Sequence, residues 1–456
     1  MSHLSLTKYR ERLDKIETSQ AKGKVIQLVG LLSEGTGPGL PVGGICAIEP
    51  IHSGEEVMVE IVGFRDGRVL FMPLGEARGI SPGSSIRAIS ERAEVEVSSS
   101  MLGRVLDGLG VPLDGKEPLT DLVKRPLYAE PVNPLKRPII TEPLDVGVRA
   151  INGLLTCGKG QRLGIFSGSG VGKSTMMGMM ARNTKADVTV IAMVGERGRE
   201  VKEFVERVLG PEGMAKSVVV AATSDQPPLV RMRGAYLATS IAEHFRDQGM
   251  DVLLLMDSLT RFAMAQREVG LSIGEPPTTK GYTPSVFALL PRLLERAGMT
   301  NEGSITGFYT VLVEGDDLND PIADSSRAIL DGHIVLSRRI ASQNIYPSID
   351  ILESKSRVMN EVASDEHLKA SGDFVSLMAS YEESADLIQV GAYVRGSNPQ
   401  VDRAIDLRPR LIDFIRQPVG EVCSLDESVA ALHEITRSIG PAQSQPAFSQ
   451  PAAPRG

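Results

Sequence analysis

A glycine-rich run with a lysine and two hydroxyl side chains carries the strongest chemical signal in the sequence. It follows the apolar run LGIF and comprises Ser167, Gly168, Ser169, Gly170, Val171, Gly172, Lys173, Ser174 and Thr175. Glycines let backbone N–H groups curl around phosphate oxygens, while Lys173 reaches the terminal phosphates and the Ser174 hydroxyl ligates Mg²⁺. Ser167 stands where the pattern usually has its first glycine. We predict a Mg-nucleotide site; the alternative is a glycine loop that only closes a strand on a helix.

Two carboxylates follow apolar runs and would complete such a site. Asp257 ends the run DVLLLMD, where an unpaired acid would be unfavourable, so we predict a role in Mg²⁺ binding. The alternative is an N-cap for a helix that begins at Ser258. Glu196 follows VTVIAMV, and ligands bind at the carboxyl ends of parallel strands, so we predict a general base for hydrolysis. The alternative is a charged loop in which Glu200 and Glu203 only complement a helix dipole.

The run YPSIDILESKSR supplies two further candidates, Tyr346 at its start and Arg357 at its end. A proline and paired serines interrupt its regularity. An arginine there could neutralise charge on a transferred phosphoryl group, or it could be a surface arginine. The tyrosine could stack on an adenine or pack in a core, and the sequence leaves both alternatives open.

These candidates need a scaffold, and the apolar runs predict one in several parts. Closely spaced short runs predict a small β-barrel, and alternating strand-like and helix-like runs predict a largely parallel α/β sheet. A helical part and a tail rich in Pro, Ala, Gln and Ser follow. The predicted parts are an amphipathic helix at 1–20, the barrel at 24–92, the α/β domain with an irregular connecting segment (93–143) at 93–357, the helical domain at 358–440 and a disordered tail at 441–456.

Length and composition limit the possible function classes. A chain of 456 residues is too long to fold around a single hydrophobic core, so two or three domains are expected. The chain has no tryptophan and only 4% aromatic residues, so few side chains could stack on nucleic-acid bases. This composition disfavours a nucleic-acid binder. The cysteines at 46, 157 and 423 are too far apart for a metal motif or a disulfide framework, so a reducing compartment fits best. The charged N-terminal segment and the lack of long apolar runs predict a cytoplasmic chain.

The order of these motifs resembles the α/β subunits of rotary ATPases and, more closely, the ATPases of flagellar type III protein export. The similarity runs through RVLDGLGVPLDG, GSGVGKST, MDSLTRFAMAQREVGLSIGEPPTTKGYTPSVFA and PSIDILESKS, and so covers nearly the whole chain. It implies an N-terminal β-barrel, a RecA-like P-loop NTPase domain and a C-terminal helical domain in six-membered rings, with ATP sites between neighbours. It also implies Mg-dependent hydrolysis of ATP to energise export of flagellar proteins.

The same resemblance implies roles for individual residues. Lys173 and Ser174 would hold phosphate and Mg²⁺, and Glu196 would be the catalytic carboxylate. Asp257 would be the Walker B acid, and Arg261 in DSLTRF would lie near the γ-phosphate.

Other implied roles concern the adenine and the neighbouring subunit. Tyr346 would face the adenine, with Tyr393 in GAYVRG on its other side, and Arg357 would be an arginine finger given to the neighbour's site. Rotary synthases divide the catalytic carboxylate and this arginine between two subunit types, whereas this chain carries both Glu196 and Arg357. A homohexameric ring of identical sites is therefore possible.

The implied partners are proteins, and no nucleic acid is among them. Besides other copies of the chain, they are a regulatory stator-like protein, a central stalk-like protein, a membrane-embedded export gate and substrate-chaperone complexes at the C-terminal domain. Leu6, Tyr9, Leu13 and Ile16 form the apolar stripe of the N-terminal helix, where the regulator would dock unless the stripe packs on its own domain. The resemblance places the ring at the cytoplasmic face of the inner membrane, held there through partners.

Three alternatives remain at this point. A virulence injectisome ATPase shares the fold and motifs. A non-catalytic nucleotide-binding ring scaffold would have no use for the predicted base at Glu196. A ring helicase of the transcription-termination type would need an RNA-binding N-terminal part, and the first hundred residues offer only Tyr9, Phe64 and Phe71 as aromatics with no basic run.

Overall fold

The first part of the chain that is described forms a closed six-stranded barrel. The structure is a computed structural model that describes residues 22–51, 55–313 and 320–437. The barrel strands are β1 (Lys22–Val29), β2 (Leu32–Gly35), β3 (Ile45–Glu49), β4 (Val57–Arg65), β5 (Arg68–Pro73) and β6 (Ser85–Ser90). They close in the order β1-β2-β5-β4-β3-β6. Alternate side chains point inward, and Ile48, Val59, Ile61 and Phe71 are fully buried. The predicted barrel is confirmed.

The segment that follows contains strands that the sequence did not predict. They are β7 (Glu94–Val97), β8 (Val105–Asp107) and β9 (Val123–Pro126). β7 and β9 form an antiparallel ribbon, and β8 joins the edge of the central sheet. The expectation of an irregular connecting segment at 93–143 is therefore wrong for these residues, because strands of three or four residues are too short to stand out among its glycines and prolines.

The central part is a mostly parallel sheet covered by helices. Its strands are β10 (Arg162–Ser167), β11 (Val188–Val194), β12 (Ser217–Ala222), β13 (Asp251–Asp257), β14 (Gly298–Met299), β15 (Ser304–Leu312), β16 (Gly332–Leu336) and β17 (Ile349–Ser356). They are ordered β17-β16-β10-β15-β13-β11-β12-β8, with β14 beside β15. β11 and β12 are buried along their whole length, which is typical of parallel strands with both faces covered. The predicted α/β fold is confirmed.

Helices connect these strands and cover both faces of the sheet. They are α1 (Arg149–Leu154), α2 (Lys173–Asn183), α3 (Gly198–Glu203), α4 (Gly210–Ala215), α5 (Pro228–Arg246), α6 (Leu259–Ile273), α7 (Pro284–Leu294), α8 (Pro321–Ile329) and α9 (Arg338–Ser342). A π-helical turn at Phe204–Leu209 joins α3 to α4. Short 3₁₀ turns lie at Ser99–Met101, Pro134–Lys136 and Thr279–Gly281.

Two strands of this sheet run antiparallel to their neighbours, and one of them matters for the site. β16 is parallel to β10, whereas β17 is antiparallel to β16 and pairs Ile349 with Leu336 and Ser356 with Gly332. β17 therefore begins at the carboxyl edge of the parallel strands and ends at the opposite edge. The run that the sequence suggested to be irregular is largely this strand.

A bundle of helices ends the described chain. It consists of α10 (Met359–Val362), α11 (Asp365–Gln389), α12 (Pro399–Ile415) and α13 (Leu425–Arg437). It packs on α1, where a ring carbon of Phe414 lies so close to Gly153 that an added Cβ would be 2.7 Å from it. The predicted helical domain is confirmed as part of the fold, and the domain limits stay predictions. The predicted helix at 1–20 and tail at 441–456 lie outside the described residues.

Helix length and polarity also bear on membrane insertion. Among the residues that the structure describes, no helix combines the length and the apolarity needed to cross a membrane.

A buried ion pair between α5 and the end of α7 ties the sheet's covering helices together. Arg296 is 1% exposed and donates from Nε and Nη2 to the carboxylate of Glu243 at 2.8 and 2.7 Å. Its Nη1 donates to the Leu127 carbonyl at 2.7 Å, which anchors the segment after β9.

We expect Glu243→Ala to destabilise this part of the protein strongly. The substitution leaves a buried guanidinium without its carboxylate, which costs about 3–5 kcal/mol of the free energy of unfolding. Urea unfolding followed by circular dichroism would measure it. Glu434→Ala removes an exposed ion pair with Arg410 and is the control that should not move the midpoint. Equal midpoints for the parent and Glu243→Ala would contradict the prediction.

Candidate active site

The glycine-rich loop lies between β10 and α2, at the carboxyl edge of the sheet. Gly170 and Gly172 have φ of 79° and 89°, in the left-handed region that glycine adopts without strain. Ser167 is a regular strand residue paired with Leu312 and Leu336, so the turn begins after it and does not require a glycine at this position. The Val171 carbonyl accepts a hydrogen bond from Ser348 Oγ at 2.7 Å, which holds the loop in place.

Asp257 ends β13 beside this loop and is buried. Its Oδ1 contacts Lys173 Nζ and accepts a hydrogen bond from Thr310 Oγ1 at 2.7 Å. The cap of α6 is the next residue, since Ser258 Oγ accepts from the Arg261 backbone N–H at 3.3 Å. The alternative of an N-cap at Asp257 is therefore wrong.

Glu196 lies just past the end of β11 and is 8% exposed. Burial raises the pKa of its carboxyl group to about 7, and the nearby charge of Asp257 acts in the same direction. A hydrogen bond with Glu200 raises this pKa further, while the charge of Lys173 opposes the shift. A buried carboxyl group with a pKa near neutrality can take up a proton at physiological pH, which an exposed loop carboxylate does not do.

These side chains share one cavity of about 750 Å³. Its lining includes the glycine-rich loop from Gly168 to Thr175 without Val171, and also Glu196, Glu200, Glu203, Asp257 and Arg261. Arg261 Nε is buried without a hydrogen-bond partner among the described residues. Its aliphatic stem packs on Gly195, where an added Cβ would lie 2.9 Å from Arg261 Cβ. The structure thus brings together Lys173, Glu196, Asp257 and Arg261, as the sequence predicted.

The two candidate tyrosines lie in different places. Tyr346 is 41% exposed, and its ring lies against the loop, because a Cβ on Gly172 would be 3.1 Å from its Cδ1. Its carbonyl accepts from the Gln417 backbone N–H at 2.9 Å, which sets the loop after α12 beside it. Tyr393 lies between α11 and α12, and its hydroxyl bonds to Asn398 and Asp402 instead.

Arg357 is the one predicted catalytic residue that the structure does not bring into this cavity. It follows β17 at the edge opposite the glycine-rich loop, about 20 Å away at roughly 3.3 Å per strand residue. Its backbone N–H donates to the Asp331 carbonyl at 3.0 Å, and Nη2 donates to the Arg327 carbonyl at 3.4 Å. Arg357 is exposed despite this long hydrogen bond, so its guanidinium is accessible to another molecule.

Sequence reasoning missed Thr310, which hydrogen-bonds Asp257. The sequence signal was weak, because the buried strand β15 carries a hydroxyl side chain at Thr306 as well as at Thr310. Only the pairing of β13 with β15 reveals its partner.

The donor set fits a Mg²⁺ ion held together with a nucleotide. Ser174 is an exposed residue that lines the cavity, and Asp257 supplies a carboxylate there. No cluster of three or more His, Cys, Asp or Glu side chains that could hold a metal occurs among the described residues. Mg²⁺ suits this arrangement, because it takes few protein ligands and shares substrate phosphates.

Comparisons with known proteins agree with this geometry. Residues 147–356 match the nucleotide-binding domain of the ATP synthase alpha/beta family, and residues 363–434 match the T3SS EscN ATPase C-terminal domain. The flagellum-specific ATP synthase of Bacillus subtilis (strain 168) is 52% identical over 93% of this chain and 97% of its own.

Two solved structures have the same fold over most of the chain. The assembled ATPase EscN of the enteropathogenic E. coli type III secretion system is 45% identical, with a TM-score of 0.86 over 91% of this chain and 99% of that one. EscN in complex with its central stalk EscO gives 44% identity and a TM-score of 0.84 over the same shares. The chain belongs to the ATP synthase alpha/beta family, in the branch of flagellum-specific ATP synthases and type III secretion ATPases.

Proposed function

We propose that the protein is an ATPase that hydrolyses Mg·ATP to ADP and phosphate and thereby energises type III export of flagellar proteins, as a homohexameric ring. The observation that carries the proposal is that Lys173, Glu196 and Asp257 line one cavity beside the glycine-rich loop. The flagellar assignment follows the resemblance to flagellum-specific ATP synthases. A scaffold without catalysis would not need a buried carboxyl group poised to take up a proton.

The nucleotide phosphates bind at the loop between Ser167 and Thr175. Backbone N–H groups and the N-terminus of α2 face the phosphate oxygens, and Lys173 leaves Asp257 to contact the terminal phosphates. Ser174 and Asp257 would hold Mg²⁺, which neutralises charge on the phosphates when bound. Tyr346 stacks on the adenine.

Glu196 acts on the attacking water. Its carboxylate orients the water and accepts its proton as the oxygen approaches the γ-phosphate. A pKa near 7 keeps a large fraction deprotonated at neutral pH and still makes the group an effective base.

Two arginines stabilise the charge that develops on the transferred phosphoryl group. Arg261 does so from within the same cavity. Arg357 cannot reach its own cavity from the opposite edge of the sheet, so it enters the cavity of the neighbouring protomer. Each site is then complete only between two chains, which is the physical reason for a ring.

Partners outside the ring follow from the family. We propose that a central stalk-like protein occupies the ring, and that a regulatory stator-like protein binds the predicted helix at 1–20. Export gate and substrate-chaperone complexes would meet the ring at the cytoplasmic face of the inner membrane, with peripheral membrane association through these partners.

The rate of ATP hydrolysis per protomer, measured with Mg²⁺ against protein concentration, tests the catalytic proposal. A rate that climbs with concentration is expected, because the site is completed between protomers. Sedimentation velocity on the same samples would show whether a constant rate comes from a ring that is already assembled. No hydrolysis by assembled rings would overturn the proposal.

The export assignment needs a test in the source organism. A chromosomal Glu196→Gln substitution is expected to stop export of flagellar filament protein, with the parent allele restored as control. Normal flagella together with loss of a separate secretion activity would instead support an injectisome ATPase.

The pH profile of hydrolysis should follow the titration of Glu196. Because the base must be deprotonated, kcat/KM should rise as the pH increases through about 7. Glu200→Gln removes a hydrogen bond and a charge that raise this pKa, so the rise should move to lower pH. Glu206→Gln, in the π-helical turn after α3, is the control and should not change the pH at which kcat/KM rises. If the rise in kcat/KM of the Glu200→Gln variant stays at the same pH or moves to higher pH, the assignment of Glu196 as the general base is contradicted.

A further inference from the structure

The strand that separates the glycine-rich loop from Asp257 places a side chain of its own at the site. In the order of the sheet, β15 lies between β10, which leads into the loop, and β13, which ends at Asp257. Thr310 of β15 pairs with Ile165 of β10. The residue before Thr310 pairs with Met256 of β13, so Thr310 stands level with Asp257.

The Thr310 hydroxyl donates a hydrogen bond to Asp257 Oδ1 at 2.7 Å, and both residues are buried. Other neighbours on this face of the sheet are apolar: Ile165 beside it on β10 and Phe308 two positions earlier on β15 are fully buried. Valine would fill the position equally well, so packing does not require a hydroxyl here. A hydrogen bond to an ionised carboxylate is roughly twice as strong as one between neutral groups.

The two oxygens of the Asp257 carboxylate differ in their partners. Oδ1 contacts both Thr310 Oγ1 and Lys173 Nζ. Oδ2 accepts no hydrogen bond from any residue in the described part of the chain, although Asp257 lines the cavity beside the glycine-rich loop. The protein therefore holds the carboxylate by one oxygen and leaves the other available to a cation or to water bound to that cation.

The two donors to Oδ1 behave differently once a nucleotide binds. Lys173 has a flexible four-carbon stem, and in the proposed function it moves from Asp257 to the terminal phosphates. Thr310 has a short side chain on a buried strand and cannot follow it. Within the described ranges of the chain, Thr310 is then the one donor that still holds the Asp257 carboxylate.

We propose that Thr310 is a positioning residue for Mg²⁺, whose hydroxyl fixes the Asp257 carboxylate when nucleotide is bound. The inference rests on the proposed function, in which Asp257 takes part in Mg²⁺ binding. Thr310 does not touch the ion or the phosphates, and it acts through the orientation of Asp257. Outer partners that orient the groups around a metal typically contribute about 10- to 100-fold to metal affinity or activity.

The test compares Thr310→Val and Thr310→Ser variants of the full chain with the parent. Valine keeps the branched shape but cannot donate a hydrogen bond, whereas serine keeps the hydroxyl. The dissociation constant of a fluorescent, non-hydrolysable ATP analogue is measured with Mg²⁺ and with EDTA, and the ratio of the two gives the gain in affinity from Mg²⁺.

Thr310→Val should reduce this gain by about 10- to 100-fold, and Thr310→Ser should restore most of it. The affinity in EDTA should equal that of the parent, because Thr310 does not line the cavity. In hydrolysis, the KM for Mg·ATP should rise by the same factor in Thr310→Val, while saturating Mg·ATP restores most of kcat.

Thr306→Val is the matched control. It removes another buried hydroxyl from β15, nearer the start of the strand, where Thr306 Oγ1 accepts from the Gly160 backbone N–H at 2.8 Å. The substitution should leave the gain in affinity from Mg²⁺ unchanged, even if it lowers the urea midpoint.

The outcomes separate this inference from the proposed function. An unchanged gain from Mg²⁺ in Thr310→Val, together with its loss in Asp257→Asn, would overturn the positioning role and leave the function standing. A full gain in Asp257→Asn would remove Asp257 from Mg²⁺ binding and, with it, the basis of the inference. A loss in Thr310→Val that serine does not restore, or an equal loss in Thr306→Val, would assign the effect to the packing of β15 and would also overturn the inference.

Discussion

Glu196→Gln is expected to lower kcat for ATP hydrolysis by about 10²–10⁴-fold, the usual contribution of a general base. Glutamine keeps the shape of the side chain but cannot accept a proton from water. ATP affinity should change little or rise, because the substitution removes a negative charge near the phosphates while Lys173 and the glycine-rich loop stay in place. Phosphate release and equilibrium binding of a fluorescent ATP analogue would measure the two effects separately.

Glu203→Gln is the matched control for this prediction. Glu203 lines the same cavity, but its side chain is half exposed and it ends α3, whereas the candidate base precedes that helix. Its loss should alter kcat only slightly. Comparable losses in both variants would show that the cavity needs negative charge rather than a base at Glu196.

Much of the candidate site could be predicted from local sequence, because each residue marks the end of an apolar run. Glu196 follows β11 and Asp257 ends β13, and in a parallel sheet these ends meet at one edge. The glycine-rich loop follows β10 for the same reason. The alternation of strand-like and helix-like runs therefore predicted both the fold and the place of the chemistry.

The remaining features depend on contacts between distant parts of the chain. Thr310 is one of three small hydroxyl residues in β15, with Ser304 and Thr306, and nothing distinguishes it until β15 is placed beside β13. β8 is three residues long and is a strand only because it pairs with β12.

The antiparallel β17 has the largest functional consequence of these long-range features. Local sequence placed Tyr346 and Arg357 in one run, but the strand between them carries them to opposite edges of the sheet. One run of twelve residues therefore serves two different sites, the tyrosine beside its own glycine-rich loop and the arginine toward a neighbour.

Arg357→Ala is accordingly expected to lower kcat by about 10³–10⁵-fold, the contribution measured for arginine fingers in phosphoryl transfer. ATP binding should be largely intact, because the side chain lies far from its own cavity and contacts the phosphates only in the transition state. Arg327→Ala, which removes a neighbouring arginine at the same edge, is the control and should keep most activity. Unchanged turnover in Arg357→Ala would refute the assignment.

Mixing the two inactive variants distinguishes action within a chain from action between chains. A Glu196→Gln protomer still offers Arg357, and an Arg357→Ala protomer still offers Glu196, so an interface between them in the right order is complete. In rings assembled at random from equal amounts, about a quarter of the interfaces meet this condition. The mixture, combined below the assembly concentration and then concentrated, should therefore regain activity that neither variant has alone. If mixed rings form without any gain, the two groups must act within one chain, and the ring would need another physical reason.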